Sequence, residues 1–270
     1  MIDTLYIERA VDEHPRVLRI KARFPQARVV YCDRYGEVFN RKSQNFRLQK
    51  QRPALILAAK HGECVLPAPA GYGIGGAHNY YFSHMLNCVY DCRYCFLQGM
   101  YNSAHYVLFV NYEDFYSNID RVLESHGDQP AWFFSGYDCD SLALEPVTSF
   151  VDASFNFFAK RPRAQLELRT KSTQIRSLLC RDPLPNCIVA FSLNPASITS
   201  ALEHKTPSLE KRIEALVALQ QAGWPIGLRF DPLIYCDDYR FQYTEMFERI
   251  FSRLDATKIH SISLGVFRLP

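Results

Sequence analysis

The chain has 270 residues, 48% hydrophobic and 22% charged, with a formal net charge of +3. That length and balance fit one large domain, or a domain with a small appendage, and exclude a disordered chain. No apolar run approaches the roughly 20 residues that span a bilayer, and Met1-Ile2-Asp3-Thr4 has no basic region leading into an apolar one, so the expectation is a cytoplasmic protein without a membrane partner.

Residues 1–78 read as an N-terminal α/β extension. Val29-Val30-Tyr31 and Leu55-Ile56-Leu57 predict short strands, and Arg16 to Phe24 a helix. Between them, Arg41 to Arg52 carries five basic residues and no acid, which is either a solvated loop or a phosphate-contacting patch. The net charge itself neither demands nor excludes nucleic acid. Pro67, Pro69, Gly71, Gly73, Gly75 and Gly76 then mark a boundary. These glycines lack the strand, spacing and helix of a dinucleotide site.

From residue 79 onward strand and helix patterns alternate. Strands are predicted at Tyr80 to Asn87, Ala131 to Phe134, Gln165 to Thr170, Cys187 to Leu193, Ile226 to Phe230 and Ile259 to Phe267. Helices are predicted at Pro146 to Phe158, Ser208 to Gln221 and Tyr239 to Leu254. Pro207 and Gly223 bracket the second of these, as proline before and glycine after a helix should. Such repetition implies parallel strands with right-handed crossovers, and six of them suit an α/β partial (β/α)6 barrel of the TIM type over residues 79–270.

The nine cysteines are odd in number and unevenly placed, so they do not form a disulfide framework. Cys32, Cys64, Cys180, Cys187 and Cys236 stand singly and read as small buried hydrophobes. Cys88, Cys92 and Cys95 are different. They follow the first predicted strand at spacing C-x3-C-x2-C, where sites gather at the carboxyl ends of parallel strands. Thiolates select iron–sulfur clusters or zinc. Structural zinc uses four ligands, and only His84 and His105 are near. A ferredoxin cluster also uses four cysteines. Three ligands with no local fourth match a 4Fe–4S cluster with one iron left open to a non-protein ligand.

The cysteine spacing, followed by Phe96, together with the six-fold strand–helix pattern, resembles the radical S-adenosylmethionine (SAM) enzymes. The resemblance implies a 4Fe–4S cluster whose open iron is chelated by SAM. It also implies reductive cleavage of SAM to a 5′-deoxyadenosyl radical, fed by an electron donor such as flavodoxin or ferredoxin. A narrower resemblance covers nearly the whole chain. Tyr6-Ile7-Glu8, Cys88 to Gln98, Ser135-Gly136 through Asp140 to Glu145, and Thr170-Lys171 are similar to the spore photoproduct lyase family. So are Phe191-Ser192-Leu193-Asn194, Glu203 to Arg212, and Arg229-Phe230-Asp231-Pro232-Leu233.

That family repairs the thymine dimer 5-thyminyl-5,6-dihydrothymine in DNA as a carbon–carbon lyase. By resemblance, Cys88, Cys92 and Cys95 are the cluster ligands, Ser141, Lys171 and Ser192 hold SAM, and Arg229 faces the barrel, where it requires a carboxylate or a substrate phosphate. Two positions depart from the family. The cysteine that returns hydrogen to the product is Tyr137 here, with Cys139 two residues on, able to share its face if the chain stays extended. The relay tyrosine Tyr94 precedes Cys95, but Phe96 follows it and has no O–H to lose. The family also continues beyond Arg268-Leu269-Pro270, so the sequence implies that a C-terminal segment is missing. These departures keep two alternatives open, a radical SAM enzyme acting on another substrate and a non-catalytic iron–sulfur or zinc protein that binds nucleic acid. Oligomeric state is not legible.

Overall fold

The computed structural model describes residues 2–267; Arg268-Leu269-Pro270, and with them any question of a missing C-terminal segment, lie outside the described residues. Runs of β-branched and aromatic residues make the strands. The chain begins with β1 (Thr4–Glu8), β2 (Arg28–Cys32), β3 (Leu55–Ala58) and β4 (Val65–Pro67). Around the cysteines come β5 (Asn79–Phe82), β6 (Met85–Leu86), β7 (Asp91–Cys92) and β8 (Tyr106–Phe109). The rest are β9 (Ala131–Ser135), β10 (Ala164–Thr170), β11 (Cys187–Ser192), β12 (Glu203–His204), β13 (Ile226–Leu233) and β14 (Ile259–Val266).

They build a mixed α/β fold with two largely parallel sheets. The first has the order β2-β1-β3-β8-β6, with only β6 antiparallel to its neighbour. The second has the order β14-β13-β11-β10-β9-β5-β4, and its strands from β5 to β14 are parallel and in sequence order. That order is what successive crossovers on one side generate. β4 closes the far edge antiparallel to β5. The hydrogen bonding of the first sheet crosses residues 78/79, since β6 and β8 both follow that point.

The run expected as one strand from Tyr80 to Asn87 is divided between the sheets. β5 ends at Phe82, and the His84 carbonyl accepts from Phe109 N at 3.0 Å as the chain moves over to β8. Asn87 ends this passage in the left-handed region (φ 66°), with its side-chain amide donating to the Ser103 and His105 carbonyls, each at 2.7 Å. Those bonds satisfy buried carbonyls and turn the chain into the cysteine loop.

The expected helix from Pro146 to Phe158 is also two pieces, Glu145–Thr148 and Phe150–Ala159, broken where Ser149 takes a φ of 46°. Ser208 caps the helix Leu209–Gln221 by accepting from Lys211 N, and Gly223 beyond it sits at φ +86°. An unanticipated helix, Tyr112–Ser125, buries Tyr112, Phe115, Ile119 and Leu123, a stripe with helical period. Apolar side chains of both sheets and these helices merge into one core. Of the single cysteines, Cys32, Cys64 and Cys187 are buried as expected and Cys236 is half-buried, but Cys180 is exposed as the C-cap of the one-turn helix Arg176–Leu179. Among the described residues, no helix is long and apolar enough to cross a membrane.

Candidate active site

Cys88, Cys92 and Cys95 open onto one cavity of about 490 Å³, which the carboxyl ends of β10, β11 and β13 and the turn after β9 also line. The loop is fastened from behind. β7 pairs with β12, placing Cys92 opposite Glu203, and Arg93 N donates to the Leu202 carbonyl at 2.7 Å. From the N-terminal side Lys50 pairs with Asp91 at 2.5 Å and also donates to Gln98. Gln49 accepts from Ala104 N at 2.9 Å.

Burial raises the Cys88 and Cys92 thiols, Cys92 to about 11 even though the Lys171 ammonium opposes the shift. Ligation requires thiolates, so metal binding here releases protons. The imidazoles do not join the thiols. His84 is buried flat against Phe150, with ring centroids 4.2 Å apart, and His105 Nδ1 accepts from Ala54 N at 3.0 Å. Among the described residues no three His, Cys, Asp or Glu side chains converge on a single-ion site. The donors on this wall are three cysteine thiols, a soft set that suits an iron–sulfur cluster.

Behind the loop lies a buried polar network. Arg212 and Glu203, both fully buried, pair at 2.5 Å, and Arg212 also donates to the carbonyls of Pro207 at 2.9 Å and Ser192 at 3.0 Å and to Thr206 Oγ1 at 2.7 Å. Glu203 accepts from Asn194 at 3.0 Å and from the Tyr94 hydroxyl. Burial pushes the Glu203 carboxyl up, but Lys171 and Arg212 outweigh it and hold it below the usual range. The Tyr94 hydroxyl is thereby committed to Glu203. Lys171 sits with its Nζ 5.6 Å from the Tyr94 ring centre.

Of the residues expected to hold SAM, Lys171 and Ser192 line the cavity, whereas Ser141 stands behind its wall, donating to the Ser135 carbonyl at 2.9 Å. Tyr137 and Cys139 both line it, but not by strand alternation. β9 ends at Ser135, and Gly136 (φ +79°) bends the chain; a Cβ on it would stand 2.5 Å from Ser141 Oγ. Burial holds the Cys139 thiol well above its ordinary value. Tyr137 packs against Tyr81, Tyr72 and Phe96, with centroids 4.3, 5.6 and 5.9 Å away. Arg229 finds a carboxylate, not a free cavity face. Its Nε and Nη2 donate to Glu167 at 3.2 and 2.8 Å, and its remaining donors go to Ser261 and the Leu228 carbonyl.

Sequence reasoning gave Asp140, Tyr72 and Arg169 no role. Asp140 accepts from Leu142 N (3.0 Å), Ala143 N (2.9 Å), Thr170 Oγ1 (2.6 Å) and Lys171 N (2.7 Å), tying the turn after β9 to the end of β10. For Arg169 a signal was present, since Gln165, Glu167 and Arg169 alternate with Ala164, Leu166 and Leu168 and so fall on one face of the strand. Tyr72 had none, because a glycine-rich loop fixes no direction for its side chains.

A family model described as spore photoproduct lyase matches residues 77–268. The curated spore photoproduct lyase of Bacillus subtilis (strain 168) is 24% identical over 182 residues, 67% of this chain and 53% of the relative. That of Clostridium acetobutylicum is 24% identical over 177 residues, 65% of this chain and 53% of the relative. The chain thus matches about half the length of these relatives. Among solved structures, a spore photoproduct lyase double mutant with bound AdoMet and dinucleoside spore photoproduct superposes with a TM-score of 0.86 at 16% identity, covering 100% of this chain and 80% of that one. Spore photoproduct lyase complexed with dinucleoside spore photoproduct gives 0.81 at 17% identity, covering 95% and 75%.

Proposed function

The chain belongs to the spore photoproduct lyase family, and from that premise we propose that it is a radical SAM enzyme acting as a carbon–carbon lyase on thymine-dimer lesions in DNA. The observation that carries this is the placing of the three C-x3-C-x2-C cysteines on one cavity wall with Lys171 and Ser192. In this reading the six parallel strands form a partial (β/α)6 barrel over residues 79–270, with residues 1–78 as an extension bracing the cluster loop. Cys88, Cys92 and Cys95 hold a 4Fe–4S cluster. When bound, that cluster and SAM supply a one-electron cleavage that yields an adenosyl radical for hydrogen abstraction.

The chain's own residues bind and orient. Lys171 offers an ammonium to the SAM carboxylate, and Ser192 offers a hydroxyl beside it. Ser141 acts indirectly, by fixing the turn that carries Asp140. Cys139 keeps its hydrogen on Sγ, the form needed to return a hydrogen atom to a product radical, and Tyr137 walls the same space. Tyr94 holds its proton toward Glu203, so its part is to brace the loop. Arg41, Lys42 and Arg47, which are exposed, would contact DNA phosphates, and a reductant such as flavodoxin or ferredoxin supplies the electron. These assignments suit a cytoplasmic location.

A second reading, a radical SAM enzyme with a different substrate, rests on Phe96 and Tyr137. Phe96 is 41% exposed beside Tyr137 and carries no hydroxyl, so the ring after Cys95 cannot relay hydrogen.

Anaerobic reconstitution with iron and sulfide, then reduction with SAM and a dinucleotide spore photoproduct, tests both. Thymine monomers together with 5′-deoxyadenosine are expected. 5′-Deoxyadenosine without monomers favours the second reading, and none above a Cys88→Ala control rejects both.

A further inference from the structure

Two sets of polar side chains line the cavity. Lys171 stands near Tyr94 and Cys92. Arg169 and Asp231 also line the wall and do not pair with each other. Arg169 shares a strand face with Glu167, which accepts from its Nε at 2.9 Å, and the Tyr72 ring centre lies 4.9 Å from its Cζ. One edge and one face of the guanidinium are therefore fixed. Its two terminal NH2 groups have no partner among the described residues, and the side chain remains 20% exposed. Arg229, by contrast, engages all three of its nitrogens.

Asp231 lies in β13 and lines the same cavity. Among the described residues the ion pairs here are Arg169–Glu167 and Arg229–Glu167, and none reaches Asp231 within 4 Å. A Cβ on Gly265 would stand 2.4 Å from Asp231 Oδ1, so the missing side chain of β14 is the space that this carboxylate fills. The two charges still sense each other. Burial opposes the Arg169 charge, while Tyr72, Glu167 and Asp231 together raise its pKa.

A donor fork and a lone acceptor, too far apart to pair and flanked by aromatic rings, specify a ligand. A phosphate would be repelled by Asp231 and an ammonium by Arg169. A flat neutral ring with a carbonyl next to an N–H satisfies both. We propose that Arg169 and Asp231 read the imide edge of a pyrimidine ring, with Arg169 donating to a ring carbonyl and Asp231 accepting from N3–H. This rests on the thymine-lesion reading above and adds to it the element that recognises the base. Enzymes that act on an extruded base read its pairing edge by hydrogen bonds and its faces by stacking, and Tyr72 and Tyr137 line the same cavity.

Equilibrium binding to the reconstituted protein tests it, using dinucleoside spore photoproduct and the same compound methylated at both N3 positions. A hydrogen bond to a charged group predicts that methylation weakens binding about 10- to 100-fold. Asp231→Ala should weaken binding of the parent lesion and erase the difference between the compounds. Gly265→Ala should do the same by displacing the carboxylate without removing it, and SAM affinity should stay within about twofold in both variants. Equal binding of the two compounds overturns the proposal while leaving the lesion reading in place. If neither binds, both fall. A loss of SAM affinity in Asp231→Ala would assign the pair to the adenine of SAM and also overturn it.

Discussion

Glu203 and Arg212 offer the sharpest test of how the cluster loop is held. Both are fully buried and pair at 2.5 Å. Replacing Glu203 with Gln removes the carboxylate that Arg212 faces, while the guanidinium keeps its neutral acceptors, the carbonyls of Pro207 and Ser192 and the Thr206 hydroxyl. A charge left without its partner in such a place costs about 3–5 kcal/mol. Arg212→Met leaves the reverse orphan, a carboxylate that retains Asn194, Tyr94 and Lys171, so its cost should fall at the lower end of that range. The double variant leaves neither charge and should be more stable than the sum of the single losses implies, by about 2 kcal/mol or more. Urea denaturation of all four proteins at one pH measures this. If the two losses add within about 0.5 kcal/mol, the pair does not act as a unit and the account of the loop's anchorage is wrong.

Acid should destabilise the fold through His84, whose pKa burial lowers from 6.5 to about 3. Because the folded pKa lies below the unfolded one, the stabilisation is full above 6.5 and shrinks by about 1.4 kcal/mol per pH unit on descent toward the folded value; His84→Phe should show a flatter stability profile between pH 6 and 4, and an unchanged slope refutes the assignment. Gly136→Ala forces a side chain onto a left-handed backbone and against Ser141 Oγ, so a loss of about 1–3 kcal/mol is expected by thermal or urea unfolding. Cys139→Ala should preserve 5′-deoxyadenosine formation but lower the yield of thymine monomers; equal yields would remove Cys139 as hydrogen donor. Duplex DNA binding should weaken steeply with salt, and replacing Arg41, Lys42 and Arg47 with Gln should reduce the log–log slope by about 0.9 for each phosphate no longer neutralised. A slope unchanged by the triple substitution makes that segment a solvated loop.

Much of this was already written in local sequence. Five of the six parallel strands of the second sheet, β9, β10, β11, β13 and β14, appear at the predicted places because apolar runs separated by crossover-length segments leave few other arrangements, and the cysteine spacing carries its chemistry in three thiols that need no distant residue to be recognised. The helix Leu209–Gln221 was equally legible from Ser208 and Gly223, which act within one turn. What failed was whatever depends on the destination of a segment. The run from Tyr80 to Asn87 reads as one strand, yet it changes sheets after Phe82, because β8, more than twenty residues later in the chain, supplies the partner for β6.

The same limit governs the site. The sequence suggested that Tyr137 and Cys139 share a face because they are two residues apart, and they do share a cavity, but through the bend at Gly136. It left Arg229 between a carboxylate and a phosphate, and only the approach of β10 to β13 across β11 brings Glu167 within 2.8 Å and decides for the carboxylate. Arg169 and Asp231, sixty-two positions apart, come to face one another for the same reason. Residue type and short-range spacing state which chemistry a chain can perform. Which side chains are spent on each other, and which are left for a ligand, is fixed only when distant strands are laid side by side.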